Sequence, residues 1–138
     1  MEFADLTTPA GEQLQGTPWQ EYPRPQLRRS SYVNLNGYWD FTLNDSPALP
    51  QVYPRKILVP FCPESSLSRI GKHYEEGSLL RYSREFTLPE GFNRGRVLLH
   101  IGAADQIADV FVNGQQLCHQ RTAGARQRLL RRRPRLCL

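Results

Sequence analysis

Short runs of alternating apolar and polar residues dominate this chain, and they predict strands rather than helices. In the first run, Trp39, Phe41 and Leu43 fall on one side of a strand, and we expect that side to face the core. Residues 56–59 form a second apolar run, which ends where Pro60 removes a backbone donor. No helical periodicity competes with this pattern, so the first half of the chain predicts β structure.

A third run, residues 80–88, also alternates. Its apolar face carries Leu80, Tyr82, Phe86 and Leu88. Arg84 interrupts this face. Because an unpaired buried charge is unfavourable, we expect Arg84 to pair with a carboxylate of the fold or to reach the rim.

The later runs are separated by turn residues. Residues 96–101 and 107–112 are predicted strands, and residues 115–118 form the return strand of a hairpin. The hairpin turn is Asn113-Gly114, because both residues tolerate the positive φ of a type I′ turn. Short strands at regular spacing with intervening turns predict an all-β sandwich or jelly roll.

Charge separates the chain into parts. The 138 residues carry a net charge of +5, yet the last 18 residues hold seven Arg and no acid. The other 11 basic residues and all 13 acids leave residues 1–120 at −2. Residues 1–30 are polar and marked by prolines, as in an extended arm. The predicted organisation is therefore an arm (1–30), a strand-rich domain (31–120) and a disordered Arg-rich tail (121–138).

The cysteines and the N-terminus indicate the compartment. Cys62, Cys118 and Cys137 form no C-x-x-C pair, which is typical of reduced thiols in a cytoplasmic protein. No secretory signal and no membrane-spanning run is present, so we expect no membrane partner. Cys118, His119 and His73 lack the spacing of a metal site, so we expect no metal and no cofactor.

Six blocks of this chain, in order, resemble the N-terminal sugar-binding domain of glycoside hydrolase family 2, which includes β-galactosidases and β-glucuronidases. The blocks are residues 22–27 (YPRPQL), 35–41 (LNGYWDF), 59–65 (VPFCPES), 82–86 (YSREF), 97–105 (VLLHIGAAD) and 112–114 (VNG). The third block is most similar to bacterial β-galactosidase-type members. The resemblance covers residues 22–119 and implies a jelly-roll, galactose-binding-like β-sandwich that is incomplete at its C-terminus.

The resemblance also implies a role in carbohydrate metabolism. Members are retaining O-glycosyl hydrolases, with two catalytic Glu residues on a barrel domain that this chain lacks. We therefore expect no hydrolysis by this chain alone and no catalytic residue in it; Glu75, Glu76 and Glu85 are not candidates. The partner would be a β-galactoside-like carbohydrate, bound only together with the missing barrel of the full-length enzyme. The resemblance assigns sugar contacts to the loop at residues 72–79.

After His119 the family pattern stops and the arginine-rich tail begins. The abrupt, acid-free change favours out-of-frame translation of a GC-rich gene, with a genuine basic appendage as the alternative. We therefore interpret the chain as a truncated fragment of a β-galactosidase-like enzyme. Two other functions remain open: a free-standing carbohydrate-binding module, and a non-specific nucleic-acid binder that uses the Arg tail. No aromatics are interleaved with these arginines, so we expect no specific nucleic-acid partner.

Three conspicuous residues have ordinary structural interpretations. Trp39 would stack on a sugar only if exposed, and its place in a strand favours core packing. Asp105 lies in a Gly-Ala-Ala-Asp turn, where a carboxylate commonly caps backbone N–H groups. His100 lies on a strand face, and we expect it to have a structural role rather than to act as a general base.

Overall fold

The protein is an all-β chain made of two units. The computed structural model describes residues 7–46, 48–104, 107–121, 127–130 and 136–137. Contacts divide the chain into two compact units, Met1–Arg81 (the first unit) and Tyr82–Leu138 (the second unit). The regular structure of both units is mainly antiparallel strand, which confirms that the fold is all-β; the jelly-roll arrangement remains a prediction. The predicted domain boundaries at residues 30 and 120 remain predictions.

The elements follow one another along the chain with little helix. In chain order they are α1 Pro9–Glu12, a 3₁₀ turn Pro25–Leu27, β1 Gly37–Leu43, β2 Arg55–Val59, a 3₁₀ turn Ser66–Ser68, β3 Leu80–Arg84, β4 Leu98–Ile101, β5 Ala108–Val112, β6 Gln115–Gln120, β7 Gln127–Leu130 and β8 Leu136–Cys137. Among the residues that the structure describes, no helix has the length and apolar composition that a bilayer span requires.

The core of the first unit lies on β1 and β2. The two strands pair antiparallel, with Trp39 opposite Ile57 and Phe41 opposite Arg55. Trp39, Phe41, Ile57 and Leu58 are all at most 4% exposed. Cross-strand neighbours on one face stabilise a sheet, so this pairing accounts for the burial of Trp39, Phe41 and Ile57 on one face. Leu58, opposite Tyr38, is buried on the other face.

One predicted core position on β1 is wrong. Leu43 has the same strand parity as Trp39 and Phe41, but 44% of it is exposed. The register explains the difference, because β2 begins at Arg55, opposite Phe41, and no β2 residue lies across from Leu43. Alternation gives the direction of a side chain, whereas burial also requires a partner strand of sufficient length.

The polar loop after β2 is held by side-chain hydrogen bonds. The strand ends at Val59, as the proline pattern predicts, and the Val59–Pro60 peptide bond is cis. Ser68 is fully buried, and its hydroxyl donates to the carbonyl oxygens of Ser65 (2.7 Å) and Pro63 (3.3 Å). A buried hydroxyl is stable when it is bonded in this way, so Ser68 fixes the path of the loop.

The N-terminal arm contains one helical turn that the proline pattern does not predict. Pro9 occupies the first turn of α1, where its missing N–H carries no penalty. Thr8 precedes it, and the Thr8 hydroxyl oxygen accepts a hydrogen bond from the Gly11 N–H at 3.1 Å. This is an ordinary N-cap, which satisfies one of the free donors of the turn.

A tight hairpin defines the second unit. Strands β5 and β6 pair with Val112 opposite Gln115, which leaves Asn113 and Gly114 as the two turn residues. Their φ angles are +52° and +75°, as a type I′ turn requires, so the predicted hairpin is confirmed. Val110 and Val112 on β5 are at most 6% exposed and are the buried hydrophobic residues of the described part of this unit.

The remaining pairings of the second unit are also antiparallel. Strand β8 pairs with Ser83 and Arg84 of β3 and with Phe111 and Val112 of β5. Strands β4 and β7 form a separate two-stranded pair. Most of the segment 121–138 lies outside the described residues, so its predicted disorder remains a prediction.

Strand β3 is shorter than the alternation predicts. It ends at Arg84, so Phe86 and Leu88 lie outside the strand, although both side chains are half-buried. Glu85, placed on the polar face of that strand by the sequence, lies just after its end and is exposed.

Candidate functional site

The first unit exposes a large aromatic side chain near its arm. Trp19 is 62% exposed, and its ring lies 5.5 Å from the Phe61 ring, centroid to centroid, with 45° between the planes. We call Trp19, Phe61 and the neighbouring amide residues Asn34 and Asn36 the Trp19 surface. The indole thus presents an apolar face to solvent beside a second aromatic ring.

The backbone at Trp19 is strained and held in place by two asparagines. Its φ angle is +48°, a left-handed conformation that costs a bulky L residue about 1–2 kcal/mol. The Trp19 carbonyl oxygen accepts hydrogen bonds from the Asn34 side-chain amide (2.6 Å) and the Asn36 side-chain amide (3.3 Å). The Asn36 amide also donates to the Pro18 carbonyl oxygen at 3.3 Å.

The asparagines are themselves fixed at the entrance to β1. The Asn36 backbone N–H donates to the Asn34 side-chain oxygen at 2.8 Å, and β1 starts at the next residue, Gly37. The buried strand therefore anchors the segment that holds Trp19. Strain that the surroundings maintain in this way is a reason to look for function at the residue.

A second aromatic pair lies in the same unit. The Tyr22 and Tyr32 rings are 4.6 Å apart and meet edge to face at 68°. Burial, and to a lesser extent the charge that Tyr22 would carry, raises the pKa of the Tyr32 hydroxyl above its ordinary value of 10.0. Tyr32 therefore stays a neutral hydrogen-bonding hydroxyl across the physiological pH range.

The loop that the family resemblance assigns to sugar contact packs beside β1. Its Lys72 N–H donates to the Pro63 carbonyl oxygen at 2.9 Å, and its Tyr74 ring contacts Phe41 at 6.0 Å between centroids. Lys72 and Tyr74 line a cavity of about 210 Å³ together with Phe41 and Arg55. The acidic pair that follows, Glu75-Glu76, is exposed.

The other tryptophan is structural. Trp39 is 4% exposed, and its indole N–H donates to the Leu35 carbonyl oxygen at 2.8 Å. The prediction that Trp39 packs in the core is therefore confirmed. The sequence did not single out Trp19, because it lies in a proline-marked segment without strand periodicity.

The alternation in the sequence places Arg84 on the apolar face of its strand, but the buried arginine is Arg81. Arg81 is only 7% exposed, and its guanidinium donates to the Ser46 carbonyl oxygen at 3.2 Å. Arg84 is half-buried, and this partial burial lowers the pKa of its guanidinium below the ordinary value. The carboxylate partner expected for Arg84 remains a prediction.

A histidine and a carboxylate meet on the hairpin of the second unit. The His119 Nδ1 lies 2.7 Å from an Asp109 carboxylate oxygen, which also accepts a 2.7 Å hydrogen bond from the Gln116 amide. His119, one member of the metal set considered in the sequence, thus has a carboxylate neighbour. The described residues contain no group of three or more His, Cys, Asp or Glu that could hold a metal ion.

The remaining candidates from the sequence include described and undescribed residues. His100 is exposed on β4, while Cys62 is an exposed free thiol and Cys118 a half-buried one. Asp105 and its predicted capping role lie outside the described residues. An open groove of about 520 Å³ in the second unit has Phe86, Asn93 and Asn113 in its lining but no charged side chain.

The chain matches no protein-family model and no curated protein. Its resemblance to glycoside hydrolase family 2 therefore remains a prediction from the six sequence blocks.

Proposed function

We propose that this chain carries a sugar-binding accessory domain of a glycoside hydrolase family 2 β-glycosidase of the β-galactosidase type. The observation that carries the proposal is the exposed Trp19 ring, whose strained backbone is held by hydrogen bonds from two asparagine amides to the Trp19 carbonyl oxygen. The ordered sequence blocks and the all-β class are consistent with such a domain.

The chemistry of the Trp19 surface suits a neutral sugar ring. One face of a pyranose is lined by C–H groups and packs against an indole, while its hydroxyls stay in water or meet polar neighbours. The amides of Asn34 and Asn36 are already bonded to the backbone at Trp19, so their role is to position the ring. With stacking as the main contact, we expect a Kd of about a millimolar.

The domain would bind sugar and leave hydrolysis to a catalytic domain. Retaining glycosidases need two carboxyl groups about 5–5.5 Å apart around the glycosidic bond. In the sequence blocks that carry the resemblance, the matched residues belong to the accessory domain of the family. We therefore expect this chain to contribute affinity and orientation to an active enzyme.

Calorimetric titration with methyl β-galactoside tests the proposal. We expect Trp19→Ala to weaken binding at least about tenfold, because loss of the ring removes the main contact. Tyr38→Ala is the matched control: it removes another exposed ring of the same unit, 51% exposed, and binding should not change. Equal binding by the wild-type chain and Trp19→Ala, or no binding by the wild-type chain, would overturn the proposal.

Two further observations separate the alternatives. Duplex DNA binding that weakens steeply with salt and persists in Trp19→Ala, without sugar binding, would favour the nucleic-acid binder. Translation of the DNA downstream in all three frames separates an accessory domain from a free-standing module. A family 2 barrel there supports the former, and its absence supports the latter.

A further inference from the structure

The cavity beside β1 and β2 has two cations on its wall. It measures about 210 Å³, and Arg55 and Lys72 line it together with Phe41 and Tyr74. We call it the Arg55 cavity. It belongs entirely to the first unit, and none of these residues is part of the Trp19 surface.

The strand register puts neighbouring cations on opposite faces of β2. Arg55 lies opposite Phe41, so it shares the face of the fully buried ring. The next residue, Lys56, lies opposite Asp40 and forms a 2.8 Å ion pair with it. Because side chains alternate along a strand, the Lys56 charge is compensated on one face while Arg55 points to the cavity face.

The second cation is placed by the aromatic wall. The Lys72 ammonium lies 5.4 Å from the centre of the Tyr74 ring, which is within cation–π range. Tyr74 in turn contacts the Phe41 ring edge to face at 64°, and the Lys72 N–H is bonded to Pro63. A buried ring and a backbone bond therefore restrict where this ammonium group lies.

Neither cation has a carboxylate partner among the residues that the structure describes. Glu64 lies 3.6 Å from His73, and the exposed Glu75 and Glu76 form no ion pair with Arg55 or Lys72. Two uncompensated cations at one concave surface raise the local concentration of anions. A guanidinium fork and an ammonium that line the same cavity can both bind the oxygens of a phosphate or a carboxylate.

We propose that the Arg55 cavity binds a small anionic molecule through its phosphate or carboxylate group. The guanidinium of Arg55 donates to two oxygens of the anion, and the Lys72 ammonium supplies the second charge. The Tyr74 ring forms an apolar wall for the rest of the molecule. This site is independent of sugar binding at Trp19.

Titration with glucose 6-phosphate, glucuronate and neutral glucose, followed by NMR chemical shifts at low salt, tests the proposal. We expect both anions to shift the amides around Arg55 and Lys72, and glucose to leave them unchanged. The tighter of the two anions identifies the preferred group. Binding should weaken as salt approaches about 0.5 M, because the site is open to solvent and its charges are screened.

Substitutions locate the site. Arg55→Gln and Lys72→Gln should each weaken binding about tenfold, the effect of losing charge-assisted hydrogen bonds. Lys56→Gln is the matched control, since it removes one positive charge from the next residue on the opposite face; it should change affinity less than about twofold. Equal weakening by Lys56→Gln and Arg55→Gln would show attraction to general surface charge and overturn the proposal. Failure of both anions to bind would also overturn it.

The two proposals can fail separately. Trp19→Ala should leave anion binding unchanged, and Arg55→Gln should leave methyl β-galactoside binding unchanged. Anion binding that is lost in Trp19→Ala but retained in Arg55→Gln would assign the anion to the Trp19 surface and contradict the Arg55 cavity.

Discussion

Each of the two units of this protein is stabilised internally in a different way. In the first unit, Trp39, Phe41 and Ile57 are buried on one face of two paired strands, and Leu58 is buried on the other face. In the described part of the second unit, the buried hydrophobic residues are Val110 and Val112, while backbone pairing and a tight turn define the hairpin. Large packed side chains stabilise and position a surface more strongly than a few small ones. Accordingly, both proposed binding surfaces lie on the first unit.

Removing the largest fully buried side chain of the first unit should have the greatest effect. Phe41→Ala is expected to lower the free energy of unfolding by about 3–5 kcal/mol, because the ring is fully buried and its loss leaves a cavity. Chemical denaturation followed by circular dichroism measures the change. Tyr38→Ala removes a half-exposed ring from the other face of the same strand and should lower the value by about 1 kcal/mol at most. Similar losses for both variants would contradict a core on this face.

The corresponding change in the second unit should have a smaller effect. Val110→Ala removes two buried methyl groups and should cost about 2 kcal/mol. Native-state hydrogen exchange should show the loss at the amides of β5 and β6, while Phe41→Ala should act on those of β1 and β2. If Val110→Ala destabilised the chain as much as Phe41→Ala, the contrast between the two units would be wrong.

The stability of the hairpin turn should depend on backbone conformation rather than on side-chain packing. Gly114 has a φ of +75°, and a Cβ there would meet no atom within 4 Å. Gly114→Ala should therefore cost about 1 kcal/mol through backbone strain alone. Gly102→Ala is the matched control, because Gly102 also has open space but no positive φ, and it should be neutral or slightly stabilising. Thermal unfolding of both variants compares them, and equal stabilities would argue against the turn.

The smallest effect is expected at the surface ion pair of the first unit. Asp40→Asn removes the partner of Lys56, and both side chains are substantially exposed, 41% and 67% respectively. We expect a loss below about 1 kcal/mol that largely disappears at high salt. Denaturation at two salt concentrations tests this. A loss as large as that of Phe41→Ala would mean that charge, and not packing, stabilises the first unit.

Local patterns in the sequence predicted the parts of the fold that local physics determines. Alternation located β1 and the burial of Trp39 and Phe41, and Asn113-Gly114 located the hairpin. The exposure of Leu43 was not predictable in this way, because it depends on where the partner strand β2 begins. The burial of Arg81 likewise depends on Ser46, which is distant in sequence and supplies a carbonyl oxygen for the guanidinium.

The candidate surfaces were less predictable than the strands. Trp19 lies in a proline-marked segment, and its strained backbone and asparagine partners arise from contacts 15–17 residues along the chain. Arg55 lies on the cavity side of β2 because of the register between β1 and β2, which the sequence alone does not reveal. Of residues 72–79, which the family resemblance assigns to sugar contact, Lys72 and Tyr74 line the Arg55 cavity.

Fluorine NMR of the chain labelled with 5-fluorotryptophan tests the sugar-binding proposal most directly. The chain has two tryptophans, the exposed Trp19 and the buried Trp39, so each reports on one environment without any change of the core. Titration with methyl β-galactoside should move the Trp19 resonance in a saturable way and leave the Trp39 resonance unchanged. A Trp19 resonance that stays in place at saturating sugar would contradict the account.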